Sequence, residues 1–161
     1  MTDAVRRLRA AAGRLRAAAG RVEPARRTAA DPATGEQWEA GQVLSHCAEM
    51  IPYWVGEIEQ LVASGGSVAF GRVKSDPQRI ERIAAGRQDE TGRQLDAVDG
   101  GVDAVERLLG TISTEGLRLV GHHSTLGSMT VAEIVQEFLV DHLQQHAAQL
   151  ETLGGSSVTG T

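Results

Sequence analysis

The stretch TVAEIVQEFLVDHLQQHAAQL at residues 130–150 decides the fold of this chain. It opens with a capping-box pattern, because Glu133 stands three residues after Thr130, and this pattern predicts the start of a long helix. Steps of four residues along that helix give a ridge of Ile134, Phe138, His142, His146 and Leu150. Two imidazoles therefore interrupt an apolar ridge one turn apart, a spacing that allows both to bind one metal ion.

Three more apolar periods in the chain each predict a further helix. The heptad RLRAAAG, repeated over 7–20, predicts a first helix that ends before Pro24. A second helix is predicted over 36–63, with a kink or a loosened turn at Pro52, and a third over 91–109. The stripes of the three helices are Val5, Leu8, Ala12, Leu15, Ala19 and Val22; Val43, His46, Met50, Trp54, Ile58 and Leu61; and Leu95, Val98, Val102, Val105 and Leu109.

The segments between these helices are predicted to be connections without strands. Residues 64–88 form a long connection, in which a short helix begins at Asp76, and residues 110–129 form a second loop. The expected apolar anchors of the long connection are Phe70, Val73 and Ile80. Four amphipathic helices predict an all-α fold, a four-helix bundle. We expect a single domain over 1–153 and a flexible tail over 154–161.

The composition fits one domain of ordinary size, with 161 residues of which 41% are hydrophobic and 23% charged. No run of about 18 apolar residues occurs, so no membrane span is predicted. The single cysteine, Cys47, excludes an internal disulfide and fits a reducing compartment. We therefore expect a cytoplasmic protein in which Cys47 is a small buried side chain.

Charge is spread unevenly along the chain. Residues 1–27 hold eight arginines against two acidic residues, a local charge of +6, so that the net charge of −5 leaves −11 for the remainder. We interpret this segment as a helix with a basic face in solvent. The alternative is contact with nucleic acid or a membrane surface. The acidic remainder gives no support for nucleic acid binding, and we expect neither partner.

A third histidine, His46, interrupts the apolar stripe of the second helix between Val43 and Met50. Three imidazoles in an aliphatic core are unfavourable unless each finds a partner. One divalent metal shared by His46, His142 and His146 would take a lone pair from each ring. The alternative is that each histidine is hydrogen-bonded and structural.

The roles of other polar residues are predicted from their positions in the sequence relative to these histidines. Glu49 and Gln149, each three residues after a candidate ligand, are placed to accept hydrogen bonds from the second ring nitrogens. His122 and His123 lie in a polar loop, where we expect a surface role. His123 precedes the fourth helix and has the alternative role of covering the mouth of the site.

Several chemistries are excluded by missing motifs. The sequence has no Glu-x-x-His pair of the ferritin-like di-iron kind, no phosphate-binding GK[ST] loop and no Ser-His-Asp elbow. Aromatic residues, at 3%, are too few for a single-strand stacking platform.

Three stretches together resemble the DinB-like superfamily of four-helix-bundle metalloenzymes, which includes mycothiol-dependent maleylpyruvate isomerases and bacillithiol transferases. GEQWEAGQVLSHCAEMIPYWVGEI at 35–58 is similar to the family's helix with an early tryptophan and a ligand histidine. GHHSTLGSMTVAEIVQEF at 121–138 resembles its histidine-leucine-glycine loop and capped helix. DHLQQHAAQL at 141–150 resembles its terminal HxxxH helix followed by glutamine.

The resemblance implies an up-down-down-up order of helices, with the long connection between helices two and three. It implies a divalent metal (nickel, zinc or iron) held by His46, His142 and His146. In thiol-dependent relatives a low-molecular-weight thiol binds this metal, which points to mycothiol or bacillithiol as cosubstrate and a small electrophile as substrate. A metal-bound thiol is deprotonated at neutral pH and is then a nucleophile.

Arginines of the long connection are candidates for holding the carboxylates of a thiol cosubstrate, since guanidinium binds carboxylate bidentately. These arginines are Arg72, Arg79 and Arg82. The alternative is that all three face solvent.

The leading hypothesis is therefore a metal-dependent thiol S-transferase. A metal-dependent hydrolase that uses bound water is the nearest enzymatic alternative. The other alternative is a non-catalytic helical metal-binding module, or a homodimer formed through the heptad seam of the first helix.

Overall fold

The structure, a computed structural model, describes residues 2–23 and 26–155, and its body consists of four long helical segments. Three of them are α1 (Thr2–Ala19), α2 (Ala40–Ala63) and α4 (Thr91–Thr111). The fourth is a continuous run of α5 (Val131–Ile134), a π-helical segment (Val135–Asp141) and α6 (His142–Gly155). The smaller elements are β1 (Ala69–Phe70), α3 (Pro77–Gly86), a 3-10 turn (Gly116–Arg118), β2 (Val120–His123) and β3 (Gly127–Thr130).

The core is aliphatic, and the stripes predicted for the first three helices face it. Every residue predicted for the stripes of α2 and α4 is buried, and so are Leu8, Ala12 and Leu15 of α1. Leu8 and Leu15 are fully covered by the chain itself, so the heptad seam of α1 is used within this bundle. Cys47 is buried as predicted, and burial raises the pKa of its thiol.

Helices α2 and α4 approach closely because α4 carries glycine at the contact. A Cβ atom at Gly101 would lie 2.8 Å from Cγ2 of Ile51. Gln94 near the start of α4 donates hydrogen bonds to the carbonyl oxygens of Gly41 (3.1 Å) and Gly86 (2.6 Å). The N-terminal ends of α2 and α4 therefore lie together, and tertiary packing holds a helix that its glycines would weaken.

The basic face of α1 is not simply solvated, as the sequence predicted, but forms ion pairs with two acidic helices. Arg16 contacts Asp96 (2.9 Å) and Asp99 (2.6 Å) of α4. Arg14 makes a two-point contact with Glu151 of α6 at 2.7 and 2.6 Å. The positive segment and the acidic remainder therefore compensate each other within the chain. A charge count along the sequence does not reveal such pairing, which depends on the packing of the helices.

The prediction of a chain without strands was wrong, because the two connections meet in a small three-stranded sheet. Strand β1 pairs in parallel with β2, with Ala69 opposite His122, and β2 forms an antiparallel hairpin with β3. Strands of two to four residues are too short to show an alternating pattern in the sequence. Gly127, with φ of 77°, supplies the left-handed residue that closes this hairpin.

The long connection is anchored differently from the prediction. Phe70 is buried as expected, but Val73 and Ile80 are exposed, and Ile83 is the apolar side chain that α3 buries. Asp76 caps α3 as predicted, since its carboxylate accepts a hydrogen bond from a backbone N–H of the first turn.

The fourth helical segment begins as predicted and ends later. Thr130 and Glu133 form the expected capping box. The helix continues through Gly155, two residues into the predicted tail, whereas 156–161 and Pro24 lie outside the described residues. Among the helices that the structure describes, none combines the length and hydropathy needed to cross a membrane.

Candidate metal centre

The three candidate ligand histidines converge although His46 lies 96 residues before His142 in the sequence. His46 lies on α2, and His142 and His146 lie on consecutive turns at the start of α6. One nitrogen from each ring falls within 4.8 Å of the others, and Nε2 of His46 lies 3.0 Å from Nε2 of His142. All three histidines were predicted from the sequence, and the packing of α6 on α2 brings His46 to His142 and His146.

All three imidazoles are neutral at neutral pH. Burial lowers the pKa of His142 to about 3 and that of His146 to about 4, and it lowers the pKa of His46 well below its usual range. For His46 and His142 the neighbouring imidazoles lower the pKa further. Neutral rings offer lone pairs, which is the state that a metal ion requires of histidine.

The donor set fits a divalent transition metal. Nδ1 of His146 donates to Oε1 of Gln149 (2.7 Å), as predicted for Gln149, and this bond leaves the lone pair on Nε2. That Nε2 is buried and has no partner in the described part of the chain. A buried acceptor without a donor is unfavourable, and a metal ion bound at this nitrogen would remove the penalty.

Glu49 does not accept a hydrogen bond from His46, contrary to the prediction. Its Oε2 lies 4.0 Å from Nδ1 of His46, and that nitrogen is buried without a partner in the described residues. Both carboxylate oxygens of Glu49 instead accept hydrogen bonds of 2.5 Å from Arg72. The guanidinium of Arg72 also lies over the ring of Tyr53, 3.9 Å from its centroid. Arg72 thus ties the long connection to α2.

The histidine cluster opens into a cavity of about 710 Å³, a size typical of small-molecule sites. One wall is aromatic, formed by Trp38, Trp54 and Phe138. Trp54 and Phe138 stack with ring centroids 4.0 Å apart. Positive side chains from the long connection and the carboxylates of Asp31 and Glu36 also line the cavity.

His123 is buried and lines this cavity, whereas the sequence favoured a surface role. Its Nδ1 accepts hydrogen bonds from the backbone N–H groups of Thr125 and Leu126, both at 3.3 Å. The proton therefore lies on Nε2, which has no partner among the described residues. The ring stacks on Phe138. Strand β2 turns alternate side chains to opposite faces, so His122 is exposed as predicted and contacts Ser128.

The three arginines of the long connection have different environments. Arg79 is buried in the lining of the cavity, and Arg72 also lines it with a side chain that is 10% exposed. The side chain of Arg82 is 62% exposed and lies in a separate groove. Arg72 and Arg79 are therefore placed where they could contact a ligand carboxylate, although Arg72 is already paired with Glu49. Arg82 does not line the cavity.

The π-helical segment immediately before His142 is a feature that the sequence did not predict. Buried residues of this segment and of α6, such as Val135, Leu139 and Leu143, belong to the core. Phe138 and His142 lie on the neighbouring ridge and line the cavity. Three of the five residues on the ridge read from the sequence, Phe138, His142 and His146, thus line the cavity, whereas Ile134 and Leu150 are buried in the core. Local π-helical turns are frequent at functional sites.

Comparison with known proteins shows likeness in structure alone. No protein-family model and no curated protein sequence matches the chain. The mycothiol-dependent maleylpyruvate isomerase aligns with a TM-score of 0.69 and 13% identity over 92% of this chain and 60% of that chain. YfiT from Bacillus subtilis, described as a probable metal-dependent hydrolase with an unusual four-helix bundle topology, aligns with a TM-score of 0.75 and 16% identity. That match covers 94% of this chain and 84% of YfiT.

These two likenesses show that the chain shares the fold of these two proteins. At such low identity they say nothing of which residues act in this chain. This chain also spans less than two thirds of the isomerase, so an activity that needs the whole isomerase does not transfer to it.

Proposed function

We propose that this protein of DinB-like fold binds one divalent transition metal through His46, His142 and His146 and is a metal-dependent enzyme acting on small molecules. The observation that carries the proposal is the meeting of three neutral imidazoles, of which His46 and His146 are buried and His142 is partly buried, at a cavity of about 710 Å³. Nickel, zinc and iron all suit imidazole ligands. The up-down-down-up helix order belongs to the same proposal and is supported by the adjacent N-terminal ends of α2 and α4.

Within this class we propose thiol S-transfer to a small electrophile, with mycothiol or bacillithiol as the thiol. A bound metal would hold the thiol as thiolate at neutral pH. In this chain Gln149 orients His146, and the stacked rings of Trp54 and Phe138 keep one side of the cavity apolar. The support from comparison is that a structural neighbour is mycothiol-dependent. A cytoplasmic location and a homodimer stay predictions from the sequence.

Metal-dependent hydrolysis is the second candidate, and His123 is the observation that favours it. A hydrolase needs a group that moves a proton to or from the reacting water or leaving group. His123 lines the same cavity with an Nε2–H that has no acceptor in the described residues. The description of YfiT as a probable metal-dependent hydrolase is consistent with this alternative.

Metal content tests the proposal directly. Protein purified without a metal-affinity tag is analysed for its elements, together with His146→Ala and with His122→Ala as the matched control. We expect about one equivalent of metal in the wild type and in His122→Ala, and little in His146→Ala. A wild type that stays metal-free even after reloading would contradict the proposal.

Activity assays then separate the two candidate reactions. Metal-loaded protein is assayed with mycothiol or bacillithiol against epoxides, alkyl halides and maleylpyruvate, and with ester and amide substrates in the absence of thiol. Turnover that needs the thiol supports transfer, and turnover that needs water alone supports hydrolysis.

A further inference from the structure

Three positive side chains line the cavity, and two of them are neutralised within the chain. Arg72 pairs with Glu49 at 2.5 Å, and Lys74 pairs with Asp31 at 2.7 Å. Arg79 is the third. Within residues 2–23 and 26–155, no carboxylate lies within ion-pair distance of Arg79.

The position of Arg79 is nevertheless well defined. It is buried, with 7% of its surface exposed, and its Nη1 donates to the carbonyl oxygen of Lys74 (2.8 Å). Its guanidinium lies over the ring of Trp38, 5.4 Å from the centroid. Its backbone N–H donates to Asp76, the cap of α3. The capped helix and the indole thus hold the cation at the cavity.

A buried cation without a counter-ion is unfavourable in a folded protein. Burial lowers the pKa of Arg79, but arginine remains charged at neutral pH. The remaining N–H groups of the guanidinium donate to no other described side chain. An anionic group in the cavity would supply both the missing charge and the missing acceptors.

We propose that Arg79 binds a carboxylate of the molecule that occupies the cavity, so that the enzyme acts on, or with, small carboxylic acids. The inference rests on the proposed function, because it takes this cavity as the substrate site. A planar guanidinium matches a carboxylate through two parallel hydrogen bonds. The carboxylates of Glu36, Glu49 and Asp31 act on Arg79 only from beyond ion-pair distance. Their negative charges favour a singly charged carboxylate over a phosphate dianion as the partner of Arg79.

The carboxylate-binding position at Arg79 lies close to the histidine cluster. Arg79 contacts Trp38, and the ring of Trp38 stacks on that of His146 with centroids 6.0 Å apart. One indole therefore separates the carboxylate-binding cation from a candidate metal ligand. A ligand held by Arg79 reaches the histidine cluster with its other end.

The test uses calorimetric titration of the protein as purified with succinate, with uncharged succinamide as the matched ligand and inorganic phosphate as the competing anion. We expect succinate to bind and succinamide and phosphate to bind at least tenfold more weakly. Arg79→Gln should weaken succinate binding at least tenfold. Arg82→Gln, one turn further along α3 and outside the cavity, should leave it unchanged.

Two outcomes would overturn the inference: equal binding of succinate by wild type and Arg79→Gln, or equal binding of succinate and succinamide. If Arg79→Gln fails to fold, Arg79→Lys keeps the charge but not the two-point contact, and we expect it to bind succinate more weakly than the wild type does. Metal content separates the two proposals. A wild type that retains its metal but binds succinate no better than Arg79→Gln does would contradict this inference alone, whereas a metal-free wild type would contradict the proposed function.

Discussion

Gln149 fixes which ring nitrogen of the candidate ligand His146 carries the proton. Its Oε1 accepts a hydrogen bond from Nδ1–H of His146. The other nitrogen of His146, Nε2, therefore presents its lone pair to the other two histidines. The sequence predicted this contact, because residues three apart on a helix are neighbours. The same spacing led us to expect a hydrogen bond between His46 and Glu49, which does not form. Arg72 of the long connection donates hydrogen bonds to the Glu49 carboxylate instead, and the sequence did not predict this contact.

The contact predicts the effect of Gln149→Leu. Without the acceptor the ring of His146 loses its fixed orientation, and metal affinity should fall by about 10- to 100-fold while the fold is kept. Competition with a chromophoric chelator measures the change. Gln60→Leu, an exposed change on α2 outside the cavity, is the control and should change the affinity little.

The Glu49–Arg72 pair predicts a large effect on stability. Glu49 and Arg72 have side chains only 7% and 10% exposed, so Glu49→Ala leaves a buried guanidinium without its partner. We expect the free energy of unfolding to fall by about 3 kcal/mol. Urea denaturation measures it, with the exposed Glu59→Ala on the same helix as control. Adding Arg72→Met should recover part of the loss, and no recovery would contradict the assignment.

At the scale of elements, adjacent glycines on α4 have opposite roles. Gly101 faces α2, where an added Cβ would meet Ile51 at 2.8 Å, whereas Gly100 has no atom within 4 Å of that position. Helix propensity alone favours alanine at both sites. The contact between the helices, which the sequence does not show, decides the difference.

Two single substitutions test this asymmetry. Gly100→Ala should raise the free energy of unfolding by about 0.5–1 kcal/mol, because only helix propensity changes. Gly101→Ala should lower it by about 1–3 kcal/mol, because Ile51 is fully buried and has little room to move. Thermal and urea unfolding of the two variants measure both signs. Equal stabilisation by both would mean that α2 and α4 do not pack as described.

At the scale of the whole molecule, ion pairs tie α1 to both acidic helices. Arg9 bonds to Asp103 (2.9 Å) and Glu106, and Arg14 and Arg16 make further contacts with α6 and α4. Most of these side chains are about half exposed, so each pair contributes modestly, and dissolved salt screens it.

This arrangement predicts salt-sensitive stability. Raising sodium chloride from about 0.05 to 0.5 M should lower the unfolding temperature, because screening weakens the pairs between α1 and its neighbours. The triple variant Arg9→Gln, Arg14→Gln and Arg16→Gln should unfold at lower temperature and lose most of the salt dependence. Arg107→Gln, an exposed change on α4, is the control and should keep it.

Much of the architecture followed from local pattern. The apolar stripes of α1, α2 and α4, the capping box at Thr130 and the cap of α3 at Asp76 each depend on residues close in sequence. Periodicity reports which face of a helix is covered, and caps report where a helix starts. The three candidate metal ligands were found in the same way, as histidines on otherwise apolar ridges.

The remaining features depend on which segments meet. The small sheet forms where the two connections pair, and it carries His123 into the cavity. Arg79 is distinguished from Arg82 only by the packing of α3, and the π-helical turn before His142 has no local signal in the sequence. The sequence by itself thus determined the helices and the candidate metal-ligand histidines, because both are encoded in the spacing along single helices. Only the tertiary structure decided which residues line the cavity, that Arg79 has no ion-pair partner among the described residues, and which acidic residues pair with the arginines of α1. The reason is that burial and charge compensation depend on segments distant in sequence.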